Sequence, residues 1–239
     1  MRNSAVVNRE SLETCLSNLS KNVVFREESI DEEKVDALLK QAHNIPSTFY
    51  LQPISYVTVT EKKTKKKLQK AALKNQAVEK APLIVVLVAD RKVETRQIEP
   101  LADHLSMSDD QKESFKSKLD FCFDKGFGFL WLVKGLLAPF IRFFTPLPVF
   151  PAVHKRYFLG KKAMLSSMAL LLAAEVEGLS SQMIDIIDEK RVRKALKIPS
   201  SYIIPGIICL GYPQDEKKPV SKLPLSGFVH KEVWKRPGS

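Results

Sequence analysis

Ser47, Thr48, Tyr50 and Gln52 stand close together in "NIPSTFYLQPISY", residues 44–56, where a helical pattern stops and a strand pattern begins. Two hydroxyls, a phenol and an amide supply hydrogen-bond donors and acceptors, and Pro46 and Pro53 restrict the backbone around them. A second polar group, Lys74, Asn75 and Gln76, lies inside a basic stretch where Glu61 to Lys80 carries eight lysines against two glutamates. Those lysines suit phosphate contacts, but a solvated helix face accounts for most of them. No zinc finger, arginine-rich recognition helix or aromatic platform accompanies them, so no specific nucleic-acid partner is expected.

Other chemistries leave little trace. The four histidines form no HExxH or comparable metal spacing, and Cys15, Cys122 and Cys209 form no CxxC pair. Reduced, structural thiols are the expectation. GxxxxGK[ST], GxSxG and a strand-to-helix GxGxxG are all missing, and the lone GxG at Gly126 and Gly128 sits among aromatics. A self-contained phosphate loop or nucleophile elbow is therefore not expected.

These groups need elements to position them. "SIDEEKVDALLKQAHNIP" predicts a helix capped by Ser29 or Asp31, with Val35, Leu38, Leu39 and Ala42 on one stripe. "ISYVTVT" reads as a strand, and the lysine-rich segment reads as a helix ended by Pro82. The run Leu83–Ala89 is almost wholly apolar, as a strand covered on both faces would be. A helix is expected over residues 109–123 with Phe115, Leu119 and Phe123 on one side, and another over "KKAMLSSMALLLAAEVEG", stopped by Gly178. "DEKRVRKALKIP" predicts a short surface helix. "YIIPGIICLGY" predicts a buried strand in which Pro205 argues against a middle position.

The chain is 239 residues long, 44% hydrophobic, 27% charged and carries a net charge of +11. One soluble unit fits these values, and the alternation of helix and strand patterns points to α/β or α+β architecture. The first residues lack the apolar run of a secretory signal, so a cytoplasmic protein is expected. Lys134 and Arg142 divide the apolar segment 126–150, which reads as a lid, partner surface or interior segment rather than a membrane span.

The order of several fragments resembles the FMN-dependent nitroreductase family: "ESIDEEKVDALLKQAHNIPSTFYLQPISYVTV", "NQAVEKAPLIVVLVAD", "MALLLAAEVEGLSS" and "YIIPGIICLGYPQDEKKPVSKLPLSGFV". With their connections they cover most of residues 20–230. The resemblance implies a nitroreductase-like mixed central sheet flanked by helices, arranged as a two-fold homodimer with FMN at the subunit interface. NADH or NADPH would be the transient reductant, and small planar nitroaromatics, quinones or related molecules the acceptors. Residues 1–19 would form a helical or dimer-contact extension, residues 20–239 the domain, and the segment around 126–158 an aromatic lid or interface insertion.

The resemblance also assigns residues. Ser47 and Thr48 would meet ribityl or phosphate oxygens, Gln52 would orient the pocket, and Tyr50 stands where asparagine is usual. Lys21, or in a shifted register Lys21 with Asn22, would take the phosphate contact of an N-terminal signature whose arginine position is occupied by Val23. Lys74 and Gln76 would approach the pyrimidine edge. The backbone of Asp185 or Ile186 would reach flavin N5, with Met183 where some members have proline and Ile186 where glycine is common. Ser221 and Lys222 in "SKLPL" would anchor phosphate, with Val220 replacing a basic residue of some members. The alternative is a diverged flavin-binding or partner-binding scaffold with little reductase activity.

Overall fold

The apolar run expected to be covered on both faces is buried at every position from Leu83 to Asp90. Ile84, Val86 and Val88 enter one apolar layer, and Leu83, Val85, Leu87 and Ala89 the other. This is the period-two alternation of a strand between two helical layers. Each fully buried Val, Leu or Ile contributes about 1.5–3 kcal/mol of hydrophobic free energy. The computed structural model describes residues 9–19, 23–123, 144, 155–214, 222–230 and 232–234. The site candidates therefore divide, and Lys21, Asn22, Ser221 and nearly all of the segment 126–154 lie outside the described residues.

Four strands, β1 (Ile54–Val59), β2 (Leu83–Asp90), β3 (Ser180–Ile184) and β4 (Tyr202–Gly211), pair in the order β1-β2-β4-β3. The α+β, nitroreductase-like layout is present. Among the described residues every strand pair is antiparallel rather than mixed, because each connection brings the chain back to pair in the opposite direction. Helices α1 (Arg9–Leu19) and α2 (Glu32–His43) precede the sheet, α3 (Lys62–Ala71) and α4 (Gln76–Lys80) join β1 to β2, and α5 (Val93–Arg96), α6 (Ile98–His104) and α7 (Asp109–Phe123) follow β2. Helix α8 (Lys155–Val176) leads to β3, and α9 (Glu189–Leu196) joins β3 to β4.

Helices α3, α4 and α9 cover one face and α2 and α8 the other. A third cluster, Leu51, Val93, Ile98, Leu119 and Phe123, joins α5, α6 and α7 to the loop before β1. By length and composition α8 could cross a membrane, yet Leu159, Ala163, Leu170 and Ala174 are fully buried within the protein. Gly178, at φ 71°, ends that region as expected, with Leu179 N–H donating to Ala174 O at 2.8 Å. Asp31, not Ser29, occupies the N-cap of α2, although its side chain makes no capping bond.

Two expectations change. The lysine-rich helix breaks after Ala71, because Leu73 and Lys74 are left-handed at φ 53° and 61°, and Asn75 starts α4 by accepting from Ala77 N–H at 2.8 Å. Pro205 lies in an interior strand after all. Val88 faces two residues of β4, Ile204 and Pro205, in a register shift between the Leu87–Gly206 and Ala89–Ile203 pairs. Such a bulge leaves a residue outside the ladder, so proline's missing N–H costs no pairing there. It also changes parity: Ile204 and Ile207 reach the same layer although they are three positions apart.

Candidate functional site

Pro46 follows the end of α2, and the chain turns sharply through Thr48–Tyr50. Phe49 and Tyr50 are left-handed at φ 58° and 57°, without glycine or asparagine to ease either position. Several contacts hold this turn. Ser47 Oγ donates to Leu51 O, Leu51 is fully buried, and Asp90 N–H donates to Pro53 O at 2.8 Å. Gln97 grips Gln52 from the start of α6: Gln52 N–H donates to Gln97 Oε1, and Gln97 Nε2 donates to Gln52 O, both at 2.8 Å. Tyr50 is 67% exposed, and Gln52 also faces solvent.

Behind this turn His43, Ser47, Gln52, Tyr56 and Lys162 line a cavity of about 20 Å³. Tyr56 Oη and Ser166 Oγ are 2.6 Å apart, and Ser166 Oγ donates to Ala42 O at 3.2 Å. Because the serine proton is used there, Tyr56 donates to Ser166. Burial pushes the Tyr56 phenol above its usual value, with the serine bond opposing it, whereas burial and neighbouring Lys161 lower the Lys162 ammonium.

A second group gathers where α3 ends. Lys74 N–H donates to Gln69 O, and Asp188 N–H donates to Ala71 O, both at 2.8 Å. The latter bond brings the 185–188 loop beside the break carrying Lys74 and Gln76, both exposed. Asp185 and Ile186 are exposed, and among the described residues their backbone N–H groups have no acceptor. Asp188, not Asp185, caps the following helix, accepting from Arg191 N–H at 3.1 Å.

Glu189 fixes the far side of this loop. Its Oε1 accepts from Arg193 Nη2 at 2.7 Å and from Ile204 N–H at 3.1 Å, while Oε2 accepts from Arg156 Nη2 at 2.6 Å. Arg156, Met164, Asp185, Ile187, Glu189 and Pro205 line a cleft of about 360 Å³. Apolar walls with a few convergent polar groups suit a flat, partly polar ligand.

Both groups lie at one end of the sheet, since Ile54, the end of β2, the start of β4 and the end of β3 all meet there. They sit at opposite edges, however, on β1 and β3. Three strand spacings separate those edges by about 14 Å. One chain therefore sets the break carrying Lys74 and Gln76 beside the loop carrying Asp185 and Ile186, and holds Ser47, Thr48, Tyr50 and Gln52 in a separate turn. Lys222 is exposed, with no hydrogen bond or ion pair to either group among the described residues. Val23 is half-buried against the apolar layer of α3 and α9. Sequence reading missed Gln97, Tyr56, Lys162, Ser166 and Glu189, which reach the site across the fold and belong to no local motif.

An antiparallel sheet between helical layers, with ligand-suited loops at one end, is the class this architecture defines. The model of the nitroreductase family matches residues 24–212, and the chain belongs to that family. It is an oxidoreductase. A Thermus thermophilus protein named NADH dehydrogenase is 28% identical over 211 residues, 88% of this chain and 89% of that one. A Bacillus subtilis structure named as a nitroreductase superposes with a TM-score of 0.74 at 18% identity, over 92% of this chain and 98% of the other. A Staphylococcus epidermidis structure named for NAD(P)H:FMN oxidoreductase superposes with a TM-score of 0.67 at 18% identity, over 92% and 95% of the two chains.

Proposed function

We propose that this chain is an FMN-dependent oxidoreductase, acting as a cytoplasmic homodimer, that passes reducing equivalents from NADH or NADPH to small planar nitroaromatic, quinone or related acceptors. The observation that carries this reading is the pair of N–H donors at Asp185 and Ile186, without an acceptor among the described residues and exposed beside the cleft in a loop tied down by Asp188 and Glu189. Donors held in place with no acceptor among the described residues fit a ring nitrogen of FMN. FMN, when bound, supplies the hydride and electron chemistry.

The chain's own residues bind and orient. Lys74 places positive charge near the ring edge and favours an anionic ligand state, Gln76 offers an amide, and Lys21, Asn22, Ser221 and Lys222 serve the phosphate. Ser47, Thr48, Tyr50 and Gln52 come from the partner's turn in this reading, because the two groups lie at opposite sheet edges. The Ser47 proton is already given to Leu51 O, so its oxygen acts toward a ligand as an acceptor. Tyr157, Leu165, Met168 and Val176 leave an apolar face of α8 uncovered, which suits a second copy.

Two observations favour the diverged scaffold as a second reading: Val23 lies against apolar side chains and supplies no charge, and Tyr50 projects an aromatic body where asparagine is usual. Anaerobic titration after FMN reconstitution separates the readings. Bleaching of bound flavin by NADH or NADPH is the expected result. Flavin that binds but stays oxidised with both donors would leave the scaffold reading. Cofactor retention should also fall on dilution to monomer.

A further inference from the structure

We propose that Gln97 is a positioning residue for the ligand-facing turn at residues 47–52, a role that rests on the FMN reading above. Its carboxamide offers one acceptor and one donor to a single residue of the turn, each at 2.8 Å, as a neighbouring strand would. Gln52 lies just before β1 and has no strand partner of its own. Without Gln97 both of its backbone polar groups would turn to solvent.

The turn needs such a grip. Phe49 and Tyr50 both hold a backbone conformation that a residue with a Cβ disfavours, so a turn pinned at one end only would relax toward ordinary backbone angles. Buried Leu51 and the Ser47–Leu51 bond secure the interior side. Gln97 secures the exit, where the backbone carries Gln52 toward the pocket. Gln97 is itself anchored: its N–H donates to Val93 O at 3.0 Å, and its flanking helices bury Val93 and Ile98 against Leu51. The contact spans 45 residues of sequence, so it couples the ligand-facing turn to the helices that follow β2.

The test compares Gln97→Ala and Gln97→Glu with the wild-type homodimer, using amide exchange, FMN titration, steady-state kinetics and thermal melting. Gln97→Ala should speed exchange at Gln52 at least tenfold while β1 stays protected. It should weaken FMN binding or raise the acceptor KM at least fivefold, with kcat within twofold and melting within a few degrees. Gln97→Glu keeps the acceptor for Gln52 N–H but loses the donor to Gln52 O, so its effects should be smaller. Adding Tyr50→Asn to Gln97→Ala should restore part of the protection, because asparagine tolerates the left-handed turn.

Unchanged exchange in both single variants would overturn the grip. Faster exchange with wild-type FMN affinity and KM would overturn the positioning role. A binding loss matched by a collapse in melting temperature would reduce Gln97 to a structural residue. If the wild type takes up no FMN, the FMN reading falls and the positioning role falls with it, whereas the exchange data still report on the grip.

Discussion

Glu189 Oε1 accepts the Ile204 N–H at 3.1 Å and so occupies the place of a strand partner that β3 no longer provides, since the β3–β4 ladder stops at the Ile184–Ile207 pair. The same carboxylate meets Arg156 and Arg193. Glu189→Ala should destabilise the fold by about 1–3 kcal/mol, the cost of leaving partly buried polar groups unsatisfied. Glu189→Gln keeps an acceptor for Ile204 and should lose less. Urea denaturation gives the two values, and a larger loss in the glutamine variant would contradict the edge-capping role.

Gly206 allows the end of β3 to lie close against β4. A Cβ there would stand 2.8 Å from Met183 Cε and 3.1 Å from Ile184 O. The methionine can swing aside, but the carbonyl belongs to a paired strand. Gly206→Ala should cost roughly 1–3 kcal/mol. Gly211→Ala should cost more, because its Cβ would meet two Pro82 ring carbons at 2.6 and 2.8 Å and Phe25 at 2.9 Å. Melting temperatures in the reverse order would contradict this reading.

Burial pushes the Cys209 thiol up to about 12, with Lys65 opposing the shift. The folded value lies above the unfolded one, so this contribution is complete below the ordinary thiol range and is lost as pH rises toward the folded value. From pH 8 to pH 10 the wild type should lose about 2 kcal/mol more stability than Cys209→Ala, taking an unfolded thiol near 8.5. Parallel denaturation curves at the two pH values check the slope. Equal slopes would mean that Cys209 does not control this window.

Tyr50→Asn tests two properties of one exposed, left-handed residue. Asparagine accepts that conformation more readily, so stability should rise by roughly 1 kcal/mol. It also removes the aromatic body, and FMN should bind more tightly by titration. Greater stability with weaker FMN binding would make the Tyr50 ring a ligand contact rather than an obstruction.

Local pattern foretold much of this fold. The continuous apolar run of β2, the stripe on α2 and the glycine after α8 each announce their place through neighbouring residues. The break between α3 and α4 was hidden because Leu73 and Lys74 are not residues that normally favour positive φ. Pro205 misled for a related reason: proline argues against an interior strand unless a bulge releases it, and the bulge depends on pairing with β2. At the site, the resemblance supplied positions, but only the fold shows that they divide between two sheet edges. Gln97 and Glu189 could not be read locally, because each earns its role through backbone groups far along the chain.

The pairing of β2 with β4 bears on how the molecule is made. Everything from Arg91 to Ser201 is synthesised between these two strands. During that interval β2, apolar on both sides, can pair with β1 but not with its other neighbour. Closure across so long a separation is slow, and an unpaired apolar edge is prone to wrong association. A ribosome-bound chain ending before Tyr202 should therefore hold an incomplete sheet and engage chaperones until β4 emerges.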